Sequence, residues 1–166
     1  MNCVATRIKT GASAMLCMLA LNGCSTNKDV STDVAALQNI VHLGFTPSSA
    51  KWEVFGTPEY KGGLPGPADF QTLIAEVSPV DPAAFASRPA SGKFWIAPEA
   101  ARPWLFSPFR NMLAVQKNRT FDLSNWHDCR ALNATLAQTG TVVSGFGCIE
   151  GERMLVYLTI ADNTKS

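Results

Sequence analysis

The chain has 166 residues, 14 Lys and Arg against 13 Asp and Glu, and a formal charge of +1. That length suits one ordinary domain, and the even charge balance argues against a chain built around nucleic acid or an anionic membrane surface, both of which call for a basic excess.

The first element is the N-terminus, where Arg7 and Lys9, with no acidic neighbour, precede the apolar run 14–21. This is the order of an export signal, and the run is too short to span a bilayer as a stable helix. The tetrad that follows, Leu21-Asn22-Gly23-Cys24, resembles the lipobox of bacterial lipoproteins, with Asn22 standing where a small or hydroxylated residue is more usual. The resemblance implies cleavage before Cys24, diacylglycerol on its sulfur and acylation of the new amino group. Ser25, rather than Asp, after the Cys implies the outer membrane, facing the periplasm, in a Gram-negative host. Several acyl chains on one residue make a stable anchor where a single chain would not. Residues 1–23 are therefore expected to be a signal peptide, 24–31 a lipidated polar tether and 32–166 one globular domain. Without Arg7 and Lys9 the balance is 12 basic residues against 13 acidic, about −1.

Cleavage changes the meaning of the five cysteines. Cys3 and Cys17 leave with the signal and Cys24 is occupied by lipid, so Cys129 and Cys148 remain as one expected disulfide in an oxidising compartment. Metal binding by this pair is not expected, because neither His42 nor His127 lies at a ligand-like spacing from both.

From Thr32 the chain reads as a helix capped by Thr32 or Asp33, with Val34, Leu37, Ile40 and Val41 on one stripe and Gly44 as its end. Residues 51–55 form a strand candidate, and 56–69 a loop too rich in Gly and Pro for a sheet and without a phosphate-cradling pattern. Residues 70–77, apolar on both parities, predict a central strand. Asp81 and Pro82 open a helical turn, 93–96 a brief strand, and Ser107 with Pro108 a helix through Gln116. A further helix is expected from Asn125 to about Gln138, with Trp126, Cys129, Leu132 and Leu136 on one stripe. Residues 141–149 and 153–160, joined at Gly151, predict a β-hairpin. The expected fold class is α+β: a mostly antiparallel sheet with helices packed on one face, ending in a C-terminal β-hairpin.

No compact catalytic motif stands out, so no catalytic residue, metal or cofactor is assigned. Ser144 lacks the flanking glycines of a nucleophile elbow, His127 and Asp128 are adjacent rather than preorganised, and Glu150 with Glu152 flank a turn. The one cluster that suggests recognition is Trp95, Arg102, Trp104 and Phe106, aromatic and basic residues in a segment stiffened by Pro98, Pro103 and Pro108. These residues pin an irregular crossover to the core, present a protein-binding face or line a small-ligand pocket. The expected function is a non-catalytic, membrane-tethered periplasmic lipoprotein that binds an envelope protein, as an immunity or inhibitor protein or an assembly component. The alternatives are an envelope hydrolase with dispersed catalytic residues and a periplasmic small-ligand sensor or carrier.

Overall fold

The computed structural model describes residues 30–59 and 68–162. The expected signal peptide, the lipobox-like tetrad with Cys24, the expected tether up to Asp29 and the middle of the Gly/Pro segment lie outside the described residues. Six antiparallel strands form the main sheet: β1 (Val41–His42), β2 (Ser49–Thr57), β3 (Phe70–Ser78), β6 (Cys129–Leu136), β7 (Val142–Glu150) and β8 (Arg153–Asp162), in the order β1-β6-β7-β8-β3-β2. A second, two-stranded ladder joins β4 (Lys93–Trp95) to β5 (Thr120–Asp122). The helices are α1 (Val34–Gln38), α2 (Pro82–Ala86) and α3 (Ser107–Gln116).

The centre of the sheet follows from alternation, since successive strand residues point to opposite faces. Leu73, Ala75 and Val77 of β3, with Met154, Val156 and Leu158 of β8, enter one core. Ile74, Leu155 and Tyr157 enter the other. A sheet with two apolar faces must be covered twice, and the helices divide accordingly. Leu37 of α1 and Phe85 of α2 join the first core, whereas Phe109 and Leu113 of α3 join the second. The expectation of helices gathered on one face is thus replaced by cover on both. Helix α1 touches both edge strands, β1 and β2, and so bridges the open side of a curled sheet.

Local sequence explains the short helices. Asp33 accepts from the Ala36 amide and starts α1, and Asp81 accepts from Ala83 and Ala84 ahead of Pro82. Helix α1 ends at Gln38, well before Gly44, because Val41 and His42 pair with Leu136 and Thr135 instead of continuing the helix. Helix α3 begins with Ser107 as its first residue, and Phe106, which makes no side-chain cap, precedes it.

The expected helix from Asn125 to Gln138 is corrected: residues 129–136 are strand β6. The stripe Cys129, Leu132, Leu136 fits a helix, but Cys129 and Ala131 face one core while Leu132 and Ala134 face the other, which only a strand between two layers allows. Gly140, at φ +69°, then turns the chain into β7 instead of capping a helix, its N–H bonding to the Leu136 carbonyl at 2.9 Å. Gly147 also has a steric reason: a Cβ there would run into the Met154 side chain and lie 3.1 Å from the Phe85 ring. The hairpin at Gly151 forms as expected, with Glu150 opposite Arg153.

Cys129 and Cys148 are disulfide-bonded directly across the β6–β7 ladder, with Cα atoms 4.1 Å apart. The bridge joins two strands, not a helix to a strand. Replacing both cysteines by Ala is expected to lower the unfolding free energy by about 3 kcal/mol, the typical value for a loop of this size. Urea titration checks it, and an unchanged midpoint would contradict it.

Candidate functional site

The chain from the last residue of β4 to the start of α3 runs over the second face of the sheet and carries Trp95, Arg102, Trp104 and Phe106, all half-buried. The sheet beneath it supplies two carboxylates, Glu53 and Glu76, and the chain just after β2 supplies a third, Glu59. Glu53 sits on the same parity of β2 as Phe55, and Glu76 on the same parity of β3 as Ile74, so both point toward the second core. Charged residues on a core-facing parity need partners, and here each receives a group from the segment above it.

Arg102 is the most heavily engaged of the four. Its Nε pairs with Glu53, Nη2 donates to Glu59 Oε1 at 2.8 Å and Nη1 donates to Glu59 Oε2 at 3.1 Å. Its guanidinium carbon lies 4.2 Å from the centre of the Phe55 ring. The side chain is only 13% exposed, and Glu53 and Glu59 are 10% and 20% exposed. Burial works against the charge, and the hydrogen bonds and charges of Glu59 and Glu53 outweigh it, so Arg102 titrates above its ordinary value and stays protonated. A planar fork facing two carboxylates with an aromatic ring beneath is an arrangement that Lys could not reproduce.

The remaining contacts continue the pattern. The Trp104 indole N–H donates to Glu53 Oε1 at 3.2 Å, and the Lys51 ammonium lies 5.6 Å from a Trp104 ring centre. The Phe106 amide donates to Glu76 Oε2 at 2.8 Å, while Glu76 Oε1 accepts from Arg153 at 2.7 Å. Arg153 in turn stands 4.9 Å over the Phe106 ring. At the other end, the Tyr157 hydroxyl accepts from the Ala97 amide at 3.0 Å and donates to the Trp95 carbonyl at 3.2 Å. The Trp95 ring lies against Phe70, 5.2 Å between centroids. Burial pushes the Tyr157 phenol above its ordinary value, the bonds from Ala97 and Thr72 pull it back, and Glu99 adds a smaller upward push.

The structure therefore places the four sequence-predicted residues in one layer, each held by the sheet or by the aromatics beside it. Their partners Glu53, Glu59 and Glu76 were missed in the sequence. The available signal was that Glu53 alternates with Phe55 and Glu76 with Ile74, so an acid occupies a core parity.

The other candidates are not brought together. His127 is exposed just before β6, whereas Ser144 is exposed opposite Asn133, four rungs beyond the Cys129–Cys148 pair. Glu150 and Glu152 flank the hairpin tip, and His42 is exposed on β1. Among the described residues no group of three or more His, Cys, Asp or Glu could hold a metal ion, and no helix is long and apolar enough to cross a membrane. A depression of about 400 Å³ bordered by Leu37, Val41 and Phe45 lies by α1, on the opposite side of the sheet from Trp95 and Trp104. Compared with known proteins, the chain matches no family model, no curated protein and no solved structure.

Arg102→Met is expected to lower stability by about 3 kcal/mol, because it takes the cationic partner away from two carboxylates that are shielded from water. Chemical denaturation measures this, and a loss below about 1 kcal/mol would show the pair to be solvent-screened. Tyr157→Phe is expected to cost about 1 to 3 kcal/mol by leaving the Ala97 amide without its acceptor. The raised phenol pKa also gives the wild type stability that is complete below the unfolded tyrosine pKa, near 10, and is lost as pH rises through the folded value. Tyr157→Phe removes that alkaline contribution, and identical alkaline stability profiles for the two proteins would contradict it.

Proposed function

We propose that the chain is a lipoprotein anchored through Cys24 to the periplasmic face of the outer membrane, with a non-catalytic domain that binds an envelope protein. The anchor reading rests on Arg7 and Lys9, the short apolar run and the tetrad Leu21-Asn22-Gly23-Cys24. The buried disulfide between Cys129 and Cys148 supports export to an oxidising compartment, where such bonds persist.

The binding reading rests on one observation: the segment bearing Trp95, Trp104 and Phe106 is already fixed by Arg102, Glu53, Glu59, Glu76 and Tyr157. A surface ordered before its partner arrives loses less entropy on binding, and aromatic side chains are frequent anchors. In this reading Trp104 and Phe106, half-buried and partly open to solvent, touch the partner. Arg102 contributes by holding them, since its donors are directed at Glu53 and Glu59. An immunity or inhibitor protein and an assembly component both fit this mode of action. The hydrolase and sensor readings take second place, because His127 and Ser144 stand apart and the depression beside α1 is remote from Trp95 and Trp104.

Cys24→Ala is expected to leave unprocessed precursor, or to release the domain from the membrane fraction; an unmodified wild-type chain starting upstream of Cys24 would contradict the anchor. For binding, Trp104→Ala is expected to weaken capture of an envelope partner by about 2 kcal/mol or more while the fold survives. A variant that loses about 3 kcal/mol of stability yet captures normally would return Trp104 to a purely packing role.

A further inference from the structure

The described chain begins at an anchored point. Ser31 and Trp52, in the middle of edge strand β2, exchange two backbone hydrogen bonds of 2.9 Å each. The Trp52 indole N–H donates to the Asp33 carbonyl at 2.9 Å, and the Asp33 carboxylate caps α1. Trp52 is itself only 8% exposed and belongs to the first core. The exit point of the N-terminal segment is thereby tied to the rigid body of the fold, on the side of the sheet that α1 covers.

Seven residue steps separate Ser31 from Cys24. Fully extended they reach at most about 24 Å, and a flexible chain of that length averages about 15 Å end to end. A domain of this size is wider than that, with a radius of gyration of about 14 Å. Helix α3, with Val115 exposed at 67%, lies on the opposite side of the sheet from α1. A bilayer at the end of so short a tether therefore excludes most orientations that would put α3 toward the lipid. We propose that the α1 side, with the β2 edge and Ser31, is the face presented to the phospholipid headgroups, and that the α3 side with the aromatic segment points away from the membrane. This rests on the reading of Cys24 as the lipidated residue. It makes the aromatic layer accessible to a periplasmic partner without displacing the domain from its own membrane.

Energy transfer from dyes on the lipidated, disulfide-bonded protein to an acceptor on the headgroups of phosphatidylethanolamine–phosphatidylglycerol vesicles tests this. Dyes are placed at Thr32→Cys or at Val115→Cys, both exposed positions. Transfer is expected to be clearly more efficient from position 32 than from 115, and a flexible Gly/Ser insertion between Asn27 and Lys28 is expected to erase the difference. Equal transfer from the two positions in a chain carrying acyl groups on Cys24 would overturn the orientation alone. A chain with no acyl group by mass analysis would overturn the anchor reading and the orientation with it.

Discussion

Strands β3 and β8 send alternate apolar side chains into two separate cores, and every other layer of the molecule answers that requirement. Ile74, Leu155 and Tyr157 on one face, and Leu73, Val77, Met154 and Val156 on the other, are almost wholly removed from water. A side chain of this size contributes roughly 1.5 to 3 kcal/mol when fully buried, so neither face could be left open. On the first face the cover is thin: two five-residue helices and the connecting segments around them. On the second, a long excursion from β4 through α3 to β5 lies over the sheet. The irregular crossover at its centre follows from the same constraint, since too few regular elements remain to cover that face.

Covering a face with irregular chain creates a polar problem, because backbone groups in such a segment lack ladder or helix partners. The sheet answers it with side chains set among its apolar residues. Glu76 accepts from the Phe106 amide, Tyr157 accepts from the Ala97 amide and donates a hydrogen bond to the Trp95 carbonyl, and Glu53 accepts from the Trp104 indole. Arg102 then balances Glu53 and Glu59 and lies against Phe55. These contacts depend on one another. Removing the guanidinium takes the shared cation from two carboxylates that are largely shielded from water, which is why its loss is expected to cost more than that of a surface ion pair.

The parts of this architecture visible in the sequence are those set by local chemistry. Asp81 with Pro82, the double-sided apolar run of β3 and the Gly151 hairpin appear in the structure where the residue pattern places them. The helix expected over 125–138 failed because Cys129, Leu132 and Leu136 suit a 3.6-residue stripe as well as a strand. The deciding information, the pairing of Cys129 with Cys148 and Leu132 with Gly145, is tertiary. Two-faced cover was equally hidden, because which side of the sheet α3 takes depends on the path of the long connection and not on its own stripe. For the candidate site, the cluster of Trp95, Arg102, Trp104 and Phe106 was legible from composition. Its fastening to the sheet was not, because Glu53 and Glu76 lie far away in sequence and acquire their role only when β2 and β3 pair.

The crossover is a fixed layer of the fold. Hydrogen exchange at the Ala97 and Phe106 amides tests it most directly, since both donate to side chains of the sheet and not to a ladder. Protection of these two amides is expected to approach that of the central strand β3, with Arg102→Met lowering it at Phe106. Exchange at the rate of an open surface loop in the wild-type protein would contradict it.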